Sequence, residues 1–434
     1  MSADALPAAA APSVHERPAR KPIPPRGWLI IGICLIGIST GPAAFGLASL
    51  GLVINAFHDQ FGWTRGEVSG AASLMMLCTA LSLPLVGKLV DKFGARRVLI
   101  PSVIALGLCM LAIPLVVSKV WQFMAVYVLI GTIAAGANSV PYMRILASWF
   151  DRSRGLAIGI AGSGTGLGFA YVPLVGQAAI SHFGWKGCYV ALAAIMLCVT
   201  LPMVLFLLKE KTADQPNADS DSKVAEVNPA DALGDTLKQA MGKRDFWVLA
   251  SIFVSLAFVL YGLIPHMVPL LTDRGMTSDG AASMASIFGF ATFGGRILIG
   301  FLVDRFDARR IAVIFFSLSA LGMGLLALPL PSWSLIFPAL LLGGSLGAEV
   351  DMLAYLTSRY FGLKSFAQIF GVLFSAVMVA MGLGPVAFGA VYDLTGTYQV
   401  MLAIGAPVCI LAAGLMLVLR PYAERKRGAA VSVT

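Results

Sequence analysis

Twelve runs of roughly 20 apolar residues, each long enough to cross the hydrocarbon core of a bilayer, leave little room for a soluble fold. They lie near residues 28–55, 67–90, 98–117, 121–144, 154–178 and 186–208. After a polar stretch, six more lie near 246–271, 280–302, 311–330, 333–357, 367–391 and 399–419. Composition agrees with this reading. Only 12% of the 434 residues are charged and 58% are hydrophobic, whereas a soluble domain carries about 25% charged residues. The excess apolar surface has to face lipid. The 46 glycines suit membrane helices that pack closely through small side chains. The chain is therefore read as an all-α membrane protein.

The charges that remain are distributed by side. With the N-terminus placed in the cytoplasm, 26 of the 31 Lys and Arg residues fall in inside stretches. Four (Arg65, Lys119, Lys186 and Arg274) fall in outside loops, and Arg296 lies within a segment. The positive-inside rule then puts both termini in the cytoplasm, with a bacterial inner membrane as the expected location. The net charge of +9 sits in short loops and not on a basic domain, which argues against a nucleic-acid partner. Residues 1–26, rich in Ala and Pro and without an apolar core of their own, are expected as a disordered cytoplasmic tail and not a cleaved leader. The rest divides into a first half over 27–208, a linker over 209–245, a second half over 246–420 and a tail over 421–434. The linker is expected to carry an amphipathic helix on the membrane surface around 230–241. The six cysteines lie in or beside apolar segments without metal-ligand spacing and are expected as free thiols.

The two halves repeat one another. Gly87-Lys-Leu-Val-Asp91-Lys-Phe-Gly94-Ala-Arg96-Arg97 returns 213 residues later as Gly300-Phe-Leu-Val-Asp304-Arg-Phe-Asp307-Ala-Arg309-Arg310. Weaker echoes pair Trp149-Phe150 with Tyr360-Phe361, and Phe183-Gly184-Trp185 with Leu394-Thr395-Gly396. Two homologous six-helix halves suit a carrier that rocks about a central site. Here the chain resembles the major facilitator superfamily, whose loop signature G-x-L-x-D-[RK]-x-G-x-[RK]-[RK] matches 87–97. The resemblance covers essentially 26–420 and implies the major facilitator fold, twelve transmembrane helices in two six-helix halves. A carboxylate beside a basic cluster can cap a neighbouring helix. On that ground Gly87, Asp91, Arg96, Arg97, Asp304, Arg309 and Arg310 are expected as gating residues, with a weaker contact in the second copy, where Asp307 replaces a glycine.

A narrower resemblance lies in Trp149-Phe-Asp151-Arg152-Ser-Arg154-Gly-Leu-Ala-Ile-Gly159-Ile-Ala-Gly162-Ser-Gly164-Thr-Gly166-Leu-Gly168. This run is similar to the corresponding run of the monocarboxylate transporter family and its bacterial oxalate/formate-type relatives. Gly155, Gly159, Gly162 and Gly166 share one helix face and are expected to pack against another helix without touching substrate.

Ionisable groups inside a membrane are costly and by default functional candidates. Arg296, Glu349, Asp351 and His266 qualify. Arg296 lies roughly 7 Å from the middle of segment eight, at a depth matching Glu349 and Asp351 in segment ten. The two carboxylates stand about 200° apart around their helix, so one can meet Arg296 while the other turns away. The resemblance implies that Arg296 anchors an anionic substrate; the bottom-up alternative is a buried structural ion pair. The chain departs from the family in two respects. Thr292 stands where monocarboxylate transporters carry an aspartate one turn before the arginine, and segments one and eleven carry no lysine. One cation suits one carboxylate better than two. Glu349 or Asp351 is expected to take over proton coupling. Asn138, Tyr261, His266 and Tyr355 are expected around the substrate.

The expected activity is secondary transport of a small organic anion, a monocarboxylate, by alternating access with proton coupling. The alternatives are an exporter of drugs or larger metabolites, or an anion exchanger. The sequence has no H-E-x-x-H and no G-x-x-x-x-G-K-[ST] loop, which speaks against an enzyme and against direct ATP drive. No catalytic residues, metal site or cofactor are expected beyond the coupling proton. The partners expected are substrate and lipid, with the protein acting as a monomer.

Overall fold

A computed structural model describes residues 25–150, 154–208, 234–362 and 365–419. Eleven helical runs among them are long and apolar enough to cross a membrane. One, Leu156–Leu207, has 52 residues. As a straight helix it would measure about 78 Å, more than twice the hydrocarbon core. Gly184, at φ 68° and ψ −174°, breaks it. The eleven runs therefore hold twelve passes. They are labelled α1 (Pro25–Phe61), α2 (Arg65–Val90), α3 (Ala95–Val116), α4 (Val120–Leu146), α5 (156–183) and α6 (185–207). The second half comprises α7 (Arg244–Asp273), α8 (Ser278–Val303), α9 (Ala308–Ala327), α10 (Ser332–Phe361), α11 (Gln368–Thr395) and α12 (Gln399–Val418).

Local chemistry marks the helix ends. Thr64 and Glu67 form a reciprocal capping box at the start of α2. Thr277 accepts from the Gly280 amide at the start of α8. Gly62 and Gly396 take left-handed conformations at C-termini. The two copies of the repeated loop solve the entry to the next helix differently. Gly94 uses a positive φ of 88°. Asp307 instead caps the helix, its carboxylate accepting from the amides of Arg309 and Arg310. The departure from glycine is thus a change of cap.

Helices α1, α4 and α7 are interrupted midway. In α1 the regular helix stops at Ser39, just before Pro42. In α4, Ile133–Ala137 winds as a 3₁₀ turn and a fresh α-helix begins at Ser139. In α7, Ile264–His266 does the same around Pro265. Such irregular backbone is tolerated at membrane depth where it lines protein or a cavity.

The halves α1–α6 and α7–α12 meet along α2 against α11 and α5 against α8. Glycine allows the second contact. A Cβ on Gly166 would fall 2.5 Å from the Phe293 amide nitrogen, and one on Gly289 would overlap the backbone at Phe169 and Ala170. The expected glycine face is partly redrawn. Gly162 and Gly166 face α8, Gly159 has nothing within 4 Å, and Gly164 and Gly168 abut α1. The side chain of Arg154 and all of 151–153 lie outside the described residues. The expected amphipathic helix at 230–241 is described only from 234, where a short helix, Leu237–Met241, buries Ala240 against the protein. It docks there because Gly234 pairs with Gly362 and the Asp235 amide donates to the Phe361 carbonyl at 2.8 Å.

If the α5–α8 contact needs its glycines, Gly289→Leu should destabilise the detergent-solubilised protein by about 1–3 kcal/mol through overpacking. Gly294→Leu, at a position with open space, should leave thermal unfolding almost unchanged. Equal melting of the two variants would contradict this account.

Candidate functional site

A cavity of about 150 Å³ lies between the halves, walled by α1, α2, α4 and α5 on one side and α7, α8, α10 and α11 on the other. Arg296 is the charged residue among those lining it. Its Nε donates to Asp351 Oδ2 at 2.8 Å and its Nη2 to Asp351 Oδ1 at 3.1 Å, a two-pronged grip on one carboxylate. Its Nη1 donates to the Gly162 carbonyl of α5 at 2.7 Å. The guanidinium thus ties α8 to α10 within one half and to α5 across the divide. Of its five N–H groups, two remain beyond those three bonds. The pair is not sealed, since the Arg296 and Asp351 side chains keep 20% and 39% of their exposure.

The restart of α4 faces the same cavity. Asn138 is extended (φ −75°, ψ 178°), and its side-chain oxygen accepts from the Ser139 amide at 2.8 Å. Both residues line the cavity, so the positive end of the eleven-residue helix Ser139–Trp149 looks into it. Tyr261 comes to the cavity from α7, ahead of the break at Pro265.

The other expected residues sit elsewhere. Glu349, two positions from Asp351 and so nearly opposite it around α10, is 1% exposed. Neither of its oxygens has a hydrogen-bond partner, and it does not line the cavity. Tyr355 donates to the Val303 carbonyl at 3.1 Å near the chain-end face of α8 and α10. His266 is wholly buried near the opposite face. Its Nε2 lies 3.0 Å from Ser69 Oγ and 2.9 Å from the Pro385 carbonyl, and its Nδ1 lies 2.9 Å from the Tyr398 hydroxyl. The glycine run, expected to stay clear of the site, enters it through Gly162 and Thr165. Thr79 and the methionines of the wall are not singled out by the sequence. Inside an apolar run, nothing in the residue type separates a cavity-facing Met from a lipid-facing one.

Of the expected gating residues, Asp91 and Asp304 have side chains outside the described residues. Arg96 and Arg309 each reach the last helix of their own half. Arg96 donates to the Leu205 carbonyl at the end of α6, and Arg309 donates to the Leu419 carbonyl, just past α12, at 2.7 Å. In both repeats an arginine thus holds the C-terminal carbonyls of the half's last helix.

Side-chain hydrogen bonds between the halves, apart from Arg296 to Gly162, gather on the loop face away from the chain ends among the described residues. Arg65 of α2 bonds Asp273 at 2.8 Å and the Tyr398 hydroxyl at 2.9 Å, with its guanidinium 3.9 Å from the Tyr392 ring centre. The amides of Arg65 and Gly66 donate to Asp393 at 3.1 and 2.8 Å. Asn55–Thr272, Gln177–Asp279 and Ser69–His266 complete the set. That face is latched shut, and the latch was missed in the sequence because Arg65 reads there as a loop charge.

Comparison with known proteins agrees with this architecture. The family model for the Major Facilitator Superfamily matches residues 36–294 and 267–433. The chain belongs to that superfamily: it is a multi-pass membrane transporter and not an enzyme. It is 25% identical over 389 residues to the MFS-type transporter YcxA of Bacillus subtilis, covering 85% of this chain and 89% of that one. It is also 25% identical over 431 residues to monocarboxylate transporter 2 of Homo sapiens, covering 95% and 88%. A bacterial homologue of the human lysosomal transporter Spinster, solved inward-facing and unoccupied, shares the fold. The TM-score is 0.64 at 18% identity, covering 91% of this chain and 98% of that one.

Loss of the Arg65 bonds should weaken the latch. In a background without the native cysteines, a thiol placed at the buried position Ser73 should react about tenfold faster with an impermeant reagent when Arg65→Ala is added. Charge-assisted hydrogen bonds of about 1.5–3 kcal/mol set that scale. An unchanged labelling rate would mean that other contacts close this face.

Proposed function

We propose that the protein is a secondary transporter of a small organic anion, a monocarboxylate, moved by alternating access and coupled to a proton. The observation that carries this reading is the guanidinium of Arg296, the one charged group facing the inter-half cavity among the described residues. Its partner is a carboxylate that substrate can replace like for like. The positive end of the helix Ser139–Trp149 at the same cavity adds a second field of the same sign. Monocarboxylate transporter 2, similar along nearly the whole chain, supports the same substrate class.

The charge balance gives a mechanism. An uncompensated charge held in a membrane interior costs several kcal/mol, so the halves rock readily only when the site is neutral. Two states meet that condition. In one, Arg296 is neutralised by Asp351, as observed. In the other, a substrate carboxylate has taken the guanidinium and Asp351 carries a proton. Cycling between them moves one anion with one proton and no net charge. The carboxylate on α10 thereby fills the place left by Thr292 on α8. Arg296 bonds the Gly162 carbonyl across the divide, so occupancy of the cation is felt by both halves. Asp351, and not the secluded Glu349, is the proposed proton carrier because it touches Arg296 and retains exposure.

Uptake of labelled carboxylates into proteoliposomes, with and without a pH step, tests the reading. Arg296→Ala should lower uptake efficiency roughly 100-fold, the scale of losing a charged hydrogen-bond partner. Asp351→Asn should abolish the stimulation by an inward proton gradient while anion-for-anion exchange persists. Undiminished pH-driven net uptake in Asp351→Asn would refute the coupling. Transport that ignores Arg296→Ala would refute the anion assignment.

A further inference from the structure

We infer that the transported anion carries a compact apolar body of about six carbons, whose size is set by Met76, Met143, Met378 and Met381. This rests on the anion reading above and narrows its substrate class. These four methionines come from α2, α4 and α11, and with Phe169 and Phe374 they supply much of the apolar lining. Met75 also lines the cavity, but its thioether end packs on Gly46 of α1. Two of the wall's hydroxyls are committed to their own helices. The Thr79 hydroxyl donates to the Met75 carbonyl at 2.8 Å, and that of Thr292 donates to the Phe288 carbonyl at 2.9 Å, each one turn back in its own helix. The Asn138 oxygen is used as a helix cap. A second carboxylate on the substrate body would lose its water and meet no second cation among the residues lining the cavity, which penalises dicarboxylates. A hydrocarbon body loses nothing there and gains burial.

The volume sets the length. A cavity of about 150 Å³ is the room that a benzene-sized body fills. Methionine is unbranched and polarizable, so a wall built from it adapts to chain, branch or ring while bounding the total volume. The wall therefore favours an acid with an apolar body over a dicarboxylate.

The experiment is calorimetric titration of the full-length protein in lipid nanodiscs with straight-chain carboxylates from acetate to decanoate, plus benzoate, lactate and succinate. Arg296→Ala in the same nanodiscs gives the background from partitioning into lipid. Affinity should rise about fourfold per methylene up to about six carbons and then stop rising. Benzoate should bind in the same range as hexanoate, and lactate and succinate more weakly than butyrate. Met378→Ala and Met381→Ala should move the break to longer acids, while the volume-conserving Met378→Leu and Met381→Leu keep it in place. A flat series, or lactate or succinate binding more tightly than the apolar acids, overturns this inference and leaves the anion assignment standing. No Arg296-dependent binding of any carboxylate overturns both.

Discussion

The ion pair between Arg296 and Asp351 is the constraint around which the rest is arranged. A guanidinium cannot shed its charge, so once placed between membrane helices it must be answered by an anion. Asp351 answers it from α10, and the Gly162 carbonyl joins it from the opposite half. In the proposed cycle a substrate carboxylate takes the place of Asp351, and selectivity for anions, exchange of partners and communication between halves all follow from that one requirement.

The remaining architecture frees this pair to work. Glycines let α5 lie backbone to backbone against α8, which brings the Gly162 carbonyl within reach of Arg296. The broken α4 presents a helix start instead of a helix side to the cavity. The Arg65 cluster closes the loop face and gathers α2, α7 and α11 into one network with the Tyr398 hydroxyl. His266 belongs to that network, bonded to Ser69 and Tyr398, and thus to closure of the face and not to the cavity wall. The repeated arginines Arg96 and Arg309 work differently, tying the last helix of each half to its own bundle.

Much of this was legible in the chain. Apolar run length decides that a segment spans a bilayer, because no other structure satisfies its backbone there. A repeat of Gly, Asp and paired Arg at a fixed offset discloses two halves without any coordinates. An arginine in an apolar run announces a site, since its burial needs a reason. Depth along a helix is likewise arithmetic, which is how Asp351 and Glu349 were matched to Arg296. Rotation about the helix axis is not arithmetic, and that left the choice between the two carboxylates open.

What the chain determined alone was thus the set of spanning helices, their duplication and the presence of a buried cation, all properties of composition and spacing along one dimension. Tertiary structure decided which carboxylate meets Arg296, which methionines wall the cavity and that Arg65 and His266 close a face. Those are facts of helix rotation and of contact between helices hundreds of residues apart. A lipid-facing position and a cavity-facing one ask for the same apolar side chains, so only the packing of the two halves tells them apart.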